Sequence, residues 1–318
     1  MFKPGVQSPA ELAVGRAEPC LRAWERLAAL QLPGGGWPFE PGQGSGFAEP
    51  TCWALLALKA GGRLTPDVAD RGCAFLAQLQ LPEGGFCTGT VDREPNWCTS
   101  LAVFCLAVLD RQPQGRKRGL DWLLGFEGYH WKLADQSVFA HDTSIPGWPW
   151  LAGCHSWIEP TCYATFALKS AGVMEHPRLA DGRRLILNRA LPRGGWNYGN
   201  TKVLGTELRA FPSTTAVALL ALAGPADSVE VRGGLRFLSS ALGRLSTAWA
   251  LGWTVLAGRY YGWAEFEDEA IGGVASQVTG CAERLMLPAA RLRVHELAVL
   301  LLSTCASDAW PFPKRGAS

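Results

Sequence analysis

Three features of the 318-residue sequence predict an all-α chain of six helical hairpins closed into a single (α/α)6 toroid. A glycine-rich turn recurs along the chain. Each copy stands between an amphipathic segment and a nearly all-apolar one. Hairpins of about 50 residues then fill the whole length, the signature of a repeat architecture. The turn reads Leu32-Pro33-Gly34-Gly35-Gly36-Trp37, returns as Leu81-Pro82-Glu83-Gly84-Gly85-Phe86, and returns again as Leu191-Pro192-Arg193-Gly194-Gly195-Trp196.

The first hairpin takes its outer helix from residues 21–30. Its inner helix opens at Glu49-Pro50-Thr51-Cys52-Trp53-Ala54. The second takes 69–79 and then Glu94-Pro95-Asn96-Trp97-Cys98. The third lacks the Gly-Gly-Trp turn and follows a long insertion into Glu159-Pro160-Thr161-Cys162-Tyr163-Ala164. The fourth takes 183–190 and then Pro212-Ser213-Thr214-Thr215-Ala216. The fifth runs over 229–242 and 246–257, the sixth over 267–281 and 291–304. Glycine after an outer helix supplies a left-handed cap that a side chain resists. Proline in the first turn of an inner helix gives up an N–H that has no intrahelical partner. Inner segments apolar on every side should be buried, and outer ones with one polar face should be exposed. An open array needs polar-faced end repeats. None is visible, so the ring should close, giving one domain over 1–318 with an inserted lid at 127–158.

Composition excludes several classes. Thirty Lys and Arg balance twenty-eight Asp and Glu, a net charge of +2, without the basic excess that phosphate binding requires. Nucleic acid is therefore not an expected partner. Arg116-Lys117-Arg118 reads as a solvated helix face. The start, Met1-Phe2-Lys3-Pro4-Gly5, has no apolar core of a secretory signal, and no apolar run approaches the ~18 residues of a spanning helix. The ten cysteines form no Cys-x-x-Cys pair and read as buried thiols of a cytoplasmic protein; Cys52, Cys98 and Cys162 should be small hydrophobes on inner helices. Trp37 and Trp196 read as repeat packing.

Gly-Gly-Trp turns followed by a Thr-Cys-Trp-Ala-Leu-Leu-Ala-Leu helix resemble the repeats of the terpenoid cyclase and protein prenyltransferase superfamily, an (α/α)6 toroid fold that includes squalene–hopene cyclases and prenyltransferase β subunits. The resemblance covers nearly the whole chain and speaks more to fold than to activity. Class II terpene cyclases open an inner helix with Asp-x-Asp-Asp-Thr-Ala, whose middle Asp protonates the substrate. Over that motif Glu159 falls on the acid and Thr161 on the Thr, with Glu49 at the same place in the first hairpin; the Asp-x-Asp-Asp pattern itself is absent. The zinc-binding Asp-x-Cys of protein prenyltransferases is absent too.

The 127–158 insertion holds three of the five histidines and four tryptophans. A loop this long without periodicity is usually functional or disordered, and the tryptophans argue against disorder. Read as a lid over the mouth where inner helices begin, it offers Asp142, His141 and His155 as proton-transfer groups beside Glu159. Glu49, Glu94, Trp148, Trp150 and Trp157 would line the substrate space. A carboxyl in an aromatic cavity has a raised pKa suited to an acid, and tryptophan faces stabilise cations. Each residue also has a plainer reading. Acids at helix starts complement the dipole, though Glu is a poor N-cap. Asp142 before Thr-Ser can be a turn residue. His130, His141, Asp142, Cys154 and His155 are zinc-type ligands, but their spacing matches no zinc pattern, so neither metal nor cofactor is expected.

Three functions follow. The first, implied by the resemblance, is acid-initiated cyclisation or rearrangement of a linear isoprenoid in an apolar cavity, Glu159 or Asp142 donating the proton. The second is a non-catalytic module that holds an apolar ligand or docks a partner. The third is a carbohydrate-active enzyme, which needs two carboxylates ~5–10 Å apart. An apolar small-molecule ligand is the expected partner, and its delivery is compatible with peripheral contact at a membrane.

Overall fold

In a computed structural model, residues 17–91, 93–132, 140–223, 228–263, 268–287 and 291–312 are described. Among them six hairpins alternate outer and inner helices. The outer ones are α1 (Glu18–Ala29), α3 (Pro66–Gln78), α5 (Pro113–Gly125), α7 (Pro177–Asn188), α9 (Val229–Leu242) and α11 (Asp268–Leu285). The inner ones are α2 (Ala48–Ala60), α4 (Cys98–Leu109), α6 (Ile158–Ser170), α8 (Pro212–Leu222), α10 (Ala248–Tyr261) and α12 (Val294–Leu302). A small antiparallel pair, β1 (Lys202–Val203) and β2 (Thr206–Glu207), decorates the loop before α8.

Each inner helix packs on the next, and α12 packs back on α2, so the ring is closed. The seam is also stitched by Val294 N–H to the Phe39 carbonyl at 2.9 Å and by Arg291 Nη2 to Glu40 Oε1 at 2.9 Å. Inner helices are buried on every side, as their sequences demand. In α2 every residue from Ala48 to Leu58 is buried except Glu49; in α6 every residue from Ile158 to Leu168 is buried except Glu159. No helix among the described residues is long and apolar enough to cross a membrane.

One device, repeated four times, sets the hairpin geometry. The Trp37 backbone N–H donates to Thr51 Oγ1 at 2.9 Å, and its indole N–H donates to the Leu27 carbonyl near the end of α1 at 2.8 Å. Trp196 does the same with Thr215 at 2.9 Å and Ile186 at 2.7 Å. Phe86, which has no indole, makes the backbone bond to Thr99 at 2.8 Å. The fourth copy is Trp148, bonded to Thr161 at 3.1 Å and to the Leu123 carbonyl at 2.9 Å. Ile145-Pro146-Gly147-Trp148 is therefore the third hairpin's turn, embedded in the insertion. The Gly-Gly-Trp sequence is absent here, as expected, and Pro146-Gly147-Trp148 takes its place.

The turn glycines explain how neighbouring hairpins stack. Gly84 and Gly194 have φ of +104° and +93°. A Cβ on Gly84 would lie 2.5 Å from the Arg118 carbonyl oxygen of α5, and one on Gly194 would lie 2.6 Å from that of Gly233 in α9. Gly35 meets the Arg71 carbonyl of α3 in the same way. Any side chain there is both strained and in collision with the next outer helix.

Candidate functional site

Glu49 and Glu159 hold the same position, the second residue of α2 and of α6. Both are partly buried at the end of the ring where inner helices begin. The Thr214 hydroxyl, from α8, donates to Glu159 Oε1 at 2.6 Å. Burial pushes the Glu49 carboxyl up to about 8, and the charge of Glu159 pushes the same way, partly opposed by Arg293. Burial raises Glu159 as well, opposed by the Thr214 hydrogen bond. Two carboxyls whose charges repel in a poorly solvated site retain a proton between them at neutral pH. Glu296 in α12 is a third acid here. Burial raises it, and Arg293 Nε, 4.0 Å from its Oε1, opposes the rise.

Beneath the acids lies a floor of rings. Trp53 and Tyr163 stand four residues after Glu49 and Glu159, on the same helix faces. Trp53 meets Trp253 edge-on at 5.1 Å, Tyr163 at 6.1 Å and Trp249 at 6.4 Å between ring centroids. Phe104, Phe166 and Phe312 continue the stack below. Rings from different inner helices thus touch across the axis. At the level of Trp53 and Trp253 the centre of the ring is filled by side chains, which leaves the mouth above them as the candidate site. Half-buried Trp97, Trp150 and Trp249 edge that mouth: Trp97 stacks on Tyr163 at 5.7 Å and meets Trp150 edge-on at 4.9 Å, and Trp249 meets His295 at 5.3 Å.

The other sequence candidates sit elsewhere. Glu94 is exposed, four residues before α4. The register is set by the threonine that receives the turn N–H. Thr99 matches Thr51 and Thr161, so Trp97 occupies the place of Glu49 and Glu159. Glu94-Pro95 imitates Glu49-Pro50 without sharing its register. Trp148 is fully buried in the repeat device, with Arg178 4.2 Å above its ring. It is unavailable to a substrate in the mouth. Asp142 accepts from Ser144 N at 2.8 Å and Ser144 Oγ at 2.6 Å, and these bonds hold its carboxyl below the usual range. It is a turn carboxylate held ionised. His141 is buried and lowered to about 4 by burial and by Arg189. His155 is exposed against Trp131 at 4.8 Å. His141, His155 and Trp157 line a small lid cavity of about 90 Å³, against the ~300 Å³ or more of ordinary ligand sites. Burial, Glu159, Arg293 and Glu296 set the state of Glu49, and no lid residue is among them. Of the lid residues proposed for the site, Trp150 is the one in ring contact with the aromatic wall of the mouth. Among the described residues no three His, Cys, Asp or Glu side chains converge as a ligand set.

Sequence reasoning missed Trp97, Trp249, Arg293, His295 and Glu296. The spacing of Thr99 after Phe86 was the available signal for Trp97. For the sixth hairpin there was none, because it carries no glycine turn to fix its register.

No protein-family model matches the chain. A 49-residue stretch is 43% identical to the squalene–hopene cyclase of Alicyclobacillus acidocaldarius, covering 15% of this chain and 8% of that enzyme. The chain thus matches a small part of the length of its curated relative. That stretch agrees with the repeat resemblance to the terpenoid cyclase superfamily. Among solved structures, the endoglucanase Cel10 of Klebsiella pneumoniae, a family 8 glycosyl hydrolase, superposes with a TM-score of 0.56 over 89% of this chain and 97% of that one, at 13% identity. This chain has the (α/α)6 toroid fold. The type II terpene cyclase MstE from Scytonema gives a TM-score of 0.49 at 22% identity, over 73% of this chain and 66% of that one.

Proposed function

We propose that this toroid is an acid-initiated isoprenoid-processing enzyme, with Glu49 as proton donor and Glu159 as its partner. The supporting observation is the pair of raised carboxyls above an aromatic floor. A neutral carboxylic acid in a poorly solvated site above aromatic rings can protonate an alkene or epoxide. The Glu49 O–H bond breaks, the substrate takes the proton, and a carbocation forms beside a carboxylate. Half-buried Trp97 and Trp249 offer π faces to that cation, an attraction that strengthens where water is excluded. Loss of a proton from the rearranged cation to a carboxylate returns the acid and closes the cycle. Burial keeps Glu49 protonated, and the charge of Glu159, held by Thr214, adds to that effect. The 43%-identical stretch shared with squalene–hopene cyclase supports the same substrate class.

The test is incubation of the purified chain with linear isoprenoids, squalene and prenyl diphosphates included, and product analysis by gas chromatography–mass spectrometry. A new product should form and should fall by about 10²–10⁴ in Glu49→Gln, the usual contribution of a general acid. An unchanged yield in that variant would remove Glu49 from the mechanism.

A second reading, a carbohydrate hydrolase, is favoured by one observation: two interacting carboxyls on a fold shared with an endoglucanase. Release of reducing sugar from a soluble glucan, with no isoprenoid product, would select it.

A further inference from the structure

The lid cavity contains a buried cation that the acid mechanism does not use. Arg189, at the end of α7, is 7% exposed. Its Nη1 donates to the Gly199 carbonyl at 2.7 Å and its Nη2 to the Asp142 carbonyl at a long 3.4 Å. Its Nε finds no acceptor among the described residues. Asp142 is the acid whose charge reaches Arg189, but the Asp142 carboxylate is spent on Ser144. No carboxylate among the described residues forms an ion pair with Arg189. A guanidinium out of water with only neutral partners is poorly compensated. The same cavity wall carries Asn200 and Ser156. The same cavity is lined by a cluster of rings, Tyr129 stacked on Trp131 at 5.5 Å and Trp131 tilted against His155 at 4.8 Å.

We infer that this cavity binds one small oxyanion, a carboxylate or a phosphate group, with Arg189 as its counter-charge and the rings as its apolar wall. At about 90 Å³ it holds one such group and excludes an isoprenoid chain. A guanidinium matches the geometry of both oxyanions and remains charged when buried. The site is separate from the acid pair, and its occupancy does not depend on turnover.

The experiment is isothermal titration of the full chain with inorganic phosphate and with benzoate at fixed ionic strength. At least one should bind saturably at a single site. Arg189→Gln should weaken that binding tenfold or more. Arg193→Gln should leave it unchanged, because Arg193 is exposed beside Glu207. Asn200→Asp, which keeps the shape of the wall but adds a negative charge, should also weaken binding tenfold or more. It decides the matter if Arg189→Gln does not fold. Saturable binding of neither anion to the wild type, or undiminished affinity in Asn200→Asp, overturns the inference.

Discussion

Glu49 and Glu159 are the partly exposed exceptions on two inner helices whose first eleven residues are otherwise sealed. A carboxyl kept there at the start of a buried helix is expensive unless it stays neutral. The raised carboxyl of Glu49 has two separable consequences. The first concerns activity. Only the protonated form can donate, so the rate should be flat at low pH and fall as pH rises through about 8. A pH–rate profile of the isoprenoid product checks this; a limb that rises with pH would contradict Glu49 as the acid. The second concerns stability, and its sign follows from linkage. An unfolded Glu titrates near ~4.3, and the folded one at about 8, so the folded state holds more protons in between. The contribution of Glu49 is therefore complete below about pH 4 and is lost as pH rises through 8. Denaturant unfolding of Glu49→Gln at several pH values should show a flatter decline over that window than the wild type does. Arg293 opposes the rise, so Arg293→Gln should move the midpoint of the rate limb to higher pH.

At the level of elements, the hairpins were legible because their turns repeat Gly-Gly-Trp and their helices differ in polarity. What was not legible was the exact register. The turn at Ile145-Pro146-Gly147-Trp148 has only one glycine before its tryptophan, and it sits in a tryptophan-rich insertion that draws the eye to function. Its role shows only in the bonds of Trp148 to Thr161 and Leu123. Thr161 likewise accepts from a turn N–H, as Thr51, Thr99 and Thr215 do. The acid pair was half legible. Glu49 and Glu159 were visible as a repeated Glu-Pro-Thr-Cys, but the push of Glu159 on Glu49 belongs to the closed ring. Two substitutions test this level. Thr161→Val removes a buried acceptor and should cost about 1–3 kcal/mol in urea unfolding while sparing turnover. Gly84→Ala adds left-handed strain of about 1–3 kcal/mol and a collision with the Arg118 carbonyl, so it should destabilise by more than Thr161→Val does.

For the whole molecule, closure decides both stability and site. The mouth takes Glu49 from the first hairpin, Glu159 from the third, Thr214 from the fourth, Trp249 from the fifth and Glu296 from the sixth. None of these can be placed by a local segment alone. An open array would unfold from its ends, each repeat held by its neighbours only. A ring in which α12 packs on both α10 and α2 has no end to fray. A close approach in that contact is Gly252 of α10, where an added Cβ would lie 2.9 Å from the Leu300 backbone N and Cα of α12. Backbone cannot yield as a side chain can, so Gly252→Ala must push the two helices apart. We expect a loss of about 1–3 kcal/mol, the usual range for overpacking a core. The form of the loss matters more than its size. In a closed ring, hydrogen exchange of the amides of α4, on the far side from Gly252, should accelerate along with that of α10 and α12, because the ring opens as a unit. Acceleration confined to α10, α11 and α12 would mean that the hairpins behave as independent neighbours. The same substitution should shift the pH–rate midpoint, since Arg293 and Glu296 ride on the displaced α12 and both act on Glu49. A destabilised ring with an unmoved midpoint would show that α12 does not tune the acid.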